Sequence, residues 1–175
     1  MDIFAHGLWT NAIFESVARV KQKTRSRREI WLAILFGVAP DIFAFGSLLI
    51  TNIVTGFGNY MLIPSYVYGL YNFSHSLLIF ISVFIIVGAI RGRPYWLLSA
   101  WGLHILIDLY SHSRSFFATP FLFPLSSFTV SGISWDTPIF FALNYIALAV
   151  VYLWLYAWRK SKVAQNENHH YTGHQ

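Results

Sequence analysis

The chain has 175 residues, of which 56% are hydrophobic, 19% aromatic and only 11% charged, whereas an ordinary soluble domain carries about 25% charged residues. It contains no cysteine, which excludes a disulfide framework, a thiolate zinc site and a cysteine nucleophile. The net charge of +5 comes from short basic runs flanking apolar segments, a pattern of cytoplasmic loops in a polytopic membrane protein and not of a nucleic-acid surface.

The composition predicts an all-α polytopic membrane bundle of about five transmembrane helices. Residues 1–162 form one helical domain, and 163–175 a polar, disordered cytoplasmic tail. Residues 2–20 are apolar but interrupted by His6, Thr10, Asn11 and Glu15, and a basic run from Arg19 to Arg28 follows. No basic stretch precedes the apolar one, so a cleavable signal peptide is not expected. Residues 30–54 form the second segment. Trp31 anchors it at the interface, and Pro40-Asp41 interrupts it midway, where a proline kinks a helix and frees backbone groups. Glycines, Asn59 and Pro64 mark 55–65 as a loop.

The third segment is expected over 66–90, with Asn72, Ser74, His75 and Ser76 in its first half. A tight basic turn, Arg91-Gly92-Arg93-Pro94, leads to the fourth segment over 95–112. Residues 113–137 are rich in phenylalanine and proline and read as a loop on the membrane interface, a candidate lid. The last span covers 138–158, closed by Trp154, Trp158 and the basic pair Arg159-Lys160. His169, His170 and His174 belong to the solvated tail.

The basic-loop bias places 19–28, 91–93 and 159–162 on the cytoplasmic side of the inner (plasma) membrane, with the N-terminus outside and the C-terminus in the cytoplasm. At about 1.5 Å per residue, His6 stands roughly 20 Å above Arg19, Asp41 roughly 18 Å above Glu29 and His75 roughly 24 Å above Arg91. On the same scale His104, Asp108 and His112 stand roughly 16, 22 and 28 Å above Arg93. Those last three recur every four residues and so share one helix stripe. Six ionisable groups from four apolar segments therefore fall in one layer. Charged or titratable groups in lipid normally face the bundle interior and have partners.

Four imidazoles and two carboxylates suit a divalent metal: zinc, or else manganese, iron or nickel. Six ligands exceed the three that one catalytic zinc takes with its water. A pair of ions about 3.5–4 Å apart, bridged by Asp108 or Asp41, would use them, and such a pair activates water for hydrolysis of phosphoesters. Asp41 and Asp108 are the candidate catalytic carboxylates. Thr10, Asn72, Ser74 and Ser76 are candidates to orient the ligands. Arg114, just past the stripe, could hold a substrate phosphate, although an interfacial snorkelling arginine fits the same position.

His6-Gly7, Pro40-Asp41, His75-Ser76 and His104-x3-Asp108 with His112 resemble, in order and spacing, the LexA-regulated, membrane-bound metal-dependent hydrolase family. The ligand order is also similar to that of zinc-dependent phospholipase C enzymes. The resemblance covers residues 1 to about 115. It implies an inner-membrane protein with a metal site built from those six residues and hydrolase activity. A membrane lipid or lipid-linked ester is the expected substrate, and nucleic acid is not an expected partner. A metal-ion or proton transporter would use the same intramembrane His/Asp cluster. A serine hydrolase or acyltransferase built on Ser111 or Ser113 with His104 and Asp108 would leave His6, Asp41 and His75 without a task.

Overall fold

A computed structural model describes residues 1–55, 63–115 and 117–172, with side chains described as far as 158 apart from that of Thr55. Most of the loop expected over 55–65, Phe116 and the side chains of the tail, its three histidines included, lie outside the described residues.

Among the described residues there are six helices: α1 (Ile3–Val20), α2 (Arg27–Thr55), α3 (Ser65–Ser74), α4 (Leu77–Arg91), α5 (Ser99–Ser111) and α6 (Pro138–Thr172), with one 3-10 turn, Trp96–Leu98, before α5. The described residues contain no strand. The helix starts follow from local chemistry. Asp2 accepts a hydrogen bond from Ala5 N–H at 3.0 Å and caps α1. Before α2, Ser26 Oγ accepts from Glu29 N–H while Glu29 accepts from Ser26 N–H, a reciprocal capping box. Pro138 opens α6, where a proline lacks only a donor that the first turn cannot use anyway.

Two helices, Arg27–Val54 and Pro138–Trp158, are long and apolar enough to cross a membrane; α3 and α4 would make a third span if taken as one bent unit. The described residues are thus all-helical, with two to three candidate membrane spans. α1 and α5 are not among them. The outward surface fits the same reading: α4 has no buried residue, and Ile81, Ile85, Ile86 and Ile90 on it are exposed, as are Leu143, Ile146, Val150 and Leu153 on α6. A helix apolar all round belongs in lipid or in a large core.

The expected third segment is corrected: it is not one helix over 66–90 but two, bent by 55° at His75-Ser76. The cause is local. His75 N–H bonds back to Tyr71 O and ends α3, while Leu77 N–H turns out to Phe121 O at 2.9 Å. Ser76 Oγ caps α4 through Ile79 N–H and itself donates to Phe123 O. The 113–137 loop thus supplies acceptors that a continuous helix would have supplied itself.

α2 is the hub, packed on α1, α3 and α5, while α6 lies against α1 and α4 against α5. Polar bonds strap α6 on: Trp9 Nε1–H donates to Asn144 Oδ1 at 2.7 Å, and Tyr145 OH to Asp2 Oδ1 at 2.9 Å. Between α1 and α2 the approach is close, because a Cβ on Gly37 would lie 2.7 Å from Thr10 Oγ1. The 113–137 loop is tied to the end of α5. Its Gly132, Ile133 and Trp135 N–H groups bond to the carbonyls of His112, Tyr110 and Ser111. These include carbonyls at the α5 C-terminus, which a helix cannot satisfy internally. Glycine is required at 132, since a Cβ there would sit 2.3 Å from Tyr110 O.

Candidate metal centre

All six residues expected to converge do so, and all are buried: His6, Asp41, His75, His104, Asp108 and His112. Asp41 and His112, at 8% and 6% exposure, are the only two of the six with any measurable access. His6 comes from the first turns of α1 and Asp41 from the middle of α2. His75 sits at the C-cap of α3, His104 and Asp108 lie on α5, and His112 is the C-cap of α5. The expected stripe is corrected at its last member: His112 has extended backbone, φ −114 and ψ 135, and does not continue the helix. Its ring still returns to Asp108.

Each of three histidines has one ring nitrogen fixed by a carbonyl. His104 Nδ1 lies 2.7 Å from Gly37 O, His75 Nδ1 3.1 Å from Tyr71 O, and His112 Nδ1 2.9 Å from Phe117 O. A carbonyl only accepts, so Nδ1 carries the proton in each ring and the lone pair of the neutral imidazole is on Nε2. Gly37 O belongs to the turn before Pro40, where a proline ring crowds the preceding carbonyls out of the helix ladder. Ser74 Oγ stands 2.9 Å from His75 Nδ1. Tyr71 stacks on His75 at a centroid distance of 3.8 Å, and His6 on His104 at 3.7 Å.

The Nε2 atoms of His75 and His104 then face each other at 3.0 Å. Two lone pairs at that distance repel unless a proton or a cation lies between them. Asp41 and Asp108 complete the set. His104 Nε2 is 3.2 Å from Asp108 Oδ2 and 3.6 Å from Asp41 Oδ1; His75 Nε2 is 3.3 Å and 3.4 Å from the same two atoms. Donors bound at about 2.0–2.1 Å in a tetrahedral zinc site lie roughly 3.3–3.4 Å apart along each edge. The five measured edges scatter about that value. Asp41, His75, His104 and Asp108 could therefore hold a metal ion. Two neutral imidazoles with two carboxylates also balance a dication, whereas a pair of buried carboxylates left uncompensated is costly. His6 Nε2, His112 Nε2 and Asp108 Oδ2 have no aligned hydrogen-bond partner among the described residues, which leaves these atoms free to bind an ion.

Several candidate residues do other work. Arg114 is exposed and donates to Thr129 O at 3.2 Å, within the loop and outside the cluster. Ser111 Oγ donates to Asp108 Oδ1, and Ser113 pairs with Ser115, so neither serine is held by His104. Ser76 is a helix cap. Thr10 is buried, and its Oγ1 has no hydrogen-bond partner among the described residues.

Sequence reasoning missed three contributors. Tyr71 looks like one aromatic among many, yet it is fully buried against His75 and donates to Phe117 O at 2.7 Å. The Phe117 carbonyl holds both that hydroxyl and His112. The Met1 amino group lies 2.5 Å from Asp108 Oδ1. Backbone acceptors and a chain end carry no residue-type signal, so only the tertiary arrangement could reveal them.

No family model, no curated protein and no solved structure matches this chain.

Proposed function

We propose that this protein is a membrane-embedded metal-dependent hydrolase that cleaves an ester or phosphoester of a lipid or lipid-linked substrate. The observation that carries this reading is the four-donor set of Asp41, His75, His104 and Asp108, with tetrahedral edge lengths and a charge that balances a dication. Zinc fits the donors best, and manganese, iron and nickel share them. The resemblance of the His6, Asp41, His75, His104, Asp108 and His112 pattern to the LexA-regulated membrane-bound hydrolases points the same way.

With His75, His104 and Asp108 holding a divalent ion, the position beside Asp41 would take a water that the ion activates at neutral pH. The chain's residues do the rest. His75 and His104 are held in one tautomer by Tyr71 O and Gly37 O, so both present Nε2. Asp41, the carboxylate of the cluster with some exposure, takes a proton from the water. The water oxygen bonds to the acyl carbon or phosphorus, the bond to the alcohol fragment breaks, and that fragment's oxygen leaves with a proton. Asp41 and His112 keep some exposure, and Arg114, exposed two residues past His112, would meet an anionic head group there.

The arrangement in the membrane is part of the proposal: five crossings, with α1, α2, the bent α3–α4 pair, α5 and α6 each counted as one, and the basic loops on the cytoplasmic side of the inner membrane. α1 and α5 would cross only because their polar faces are buried in the bundle. An ion path would need polar groups leading to the second side. The groove that includes Lys21 and Ser99 is otherwise lined by apolar side chains such as Ile13, Phe14, Leu77, Phe80 and Leu103, which supports a one-sided enzyme pocket over a transporter.

The test is release of a water-soluble head group or phosphate from a mixed lipid extract by the purified protein in detergent. Release should stop with chelator and return with zinc or manganese. Asp41→Asn should lower turnover by more than the roughly 10–100-fold typical of losing an outer hydrogen-bond partner. Equal activity of chelated and metal-loaded protein, or metal flux across proteoliposomes that depends on His75, would overturn the reading.

A further inference from the structure

Asp108 presents its two carboxylate oxygens to different donors. Oδ2 faces the Nε2 atoms of His75 and His104. Oδ1 faces another set: His6 Nε2 at 2.8 Å, His112 Nε2 at 3.2 Å, Ser111 Oγ at 3.2 Å and the Met1 amino group at 2.5 Å. Both imidazole nitrogens approach within hydrogen-bond distance of Oδ1, yet neither is aligned as a hydrogen bond, and neither has another partner among the described residues. The rings are nonetheless held in place. His112 is fixed through Nδ1 to Phe117 O, which leaves its lone pair on Nε2. His6 is stacked on His104, with interplanar angle 26°. Two imidazole nitrogens beside one carboxylate oxygen supply three candidate ligands, the number a metal ion takes when it keeps a position for water.

We propose that Asp108 bridges two divalent cations, and that His6 Nε2, His112 Nε2 and Asp108 Oδ1 form the second site. The proposal rests on the reading of Asp41, His75, His104 and Asp108 as the first site, and deepens it. It also gives a reason for the long spacing of the α5 stripe. His104 serves one oxygen of Asp108 and His112 the other, so no single ion needs to reach both ends.

Manganese(II) is the probe, loaded into the full-length protein in detergent after chelation and dialysis. Elemental analysis should find about two ions per chain, and electron paramagnetic resonance should show the compressed multiline spectrum of an exchange-coupled pair. The substitutions His6→Gln and His112→Gln keep polar side chains of similar bulk. Each should retain about one ion and give the spectrum of isolated manganese. The wild-type spectrum by itself decides the matter if either variant fails to fold. One ion in wild type, unchanged in His6→Gln and His112→Gln, would overturn the second site and leave the first intact; His6, His112 and Met1 would then be a polar shell around Asp108. Wild-type protein that holds no ion would overturn both.

Discussion

The inside of the bundle and its outer helices have exchanged the roles that a soluble protein assigns them. Where α1, α2 and α5 meet, the fully buried side chains include His6, Thr10, His75, His104 and Asp108. On α4 and α6 isoleucine, leucine and valine point outward and stay exposed. In lipid this distribution costs nothing on the outside, because apolar side chains lose no water by turning inward. Association of the helices must then come from close packing and from polar contacts. Gly37 against Thr10, the Trp9–Asn144 and Tyr145–Asp2 bonds and the His/Asp cluster are those contacts. The difference teaches where stability should reside: at the polar centre and its loop, and hardly at all on the outer faces.

Removing a charge from the centre is the strongest way to break that comparison. With an ion bound, Asp108→Asn should lower stability by about 3–5 kcal/mol, as when one partner of a buried charged group is lost. For a chain of this length that is roughly 6–20 °C in melting temperature, followed by thermal shift in detergent with metal present. The sign is informative. In metal-free protein, where no dication compensates the two buried carboxylates, the same substitution relieves repulsion and the melting temperature should hold or rise.

A smaller effect is expected where the loop meets α5. Gly132→Ala forces a Cβ against the Tyr110 carbonyl and disturbs the N–H groups that close over His112. Overpacking of this kind costs about 1–3 kcal/mol. Faster proteolysis within 113–137 should accompany the fall in melting temperature. Unchanged cleavage would mean that the loop is not held through this contact.

The smallest effect belongs to the outer face. Ile85→Ala on α4 truncates a side chain that is 61% exposed, and should change stability by no more than about 0.5 kcal/mol in detergent. A loss as large as that of a buried isoleucine, about 2–5 kcal/mol, would show that another chain or helix covers α4.

Much of the centre was legible beforehand because the physics acts on residue type. An ionisable group inside an apolar segment needs a partner, and His6, Asp41, His75 and the His104-Asp108-His112 stripe were each such a group. Helical rise was enough to place them at one depth. The break at His75-Ser76 was not legible, since nothing in a run of aromatic and aliphatic residues says that Phe121 and Phe123 will offer carbonyls from nearly fifty residues away. Arg114 was drawn toward the site by proximity in sequence; its bond to Thr129 O within the loop is a contact that residue order does not announce.

The amino-acid sequence by itself determined that this chain is helical, that its surface suits a membrane and that six His and Asp side chains must find one another. Composition and the period of the helix decide those things locally. Only the tertiary structure decided which oxygen of Asp108 meets which imidazole, which carbonyl sets each tautomer, and that Tyr71 and Phe117 hold the rings. Those choices depend on ångström-scale distances between segments far apart in the chain, and residue type alone carries no record of them.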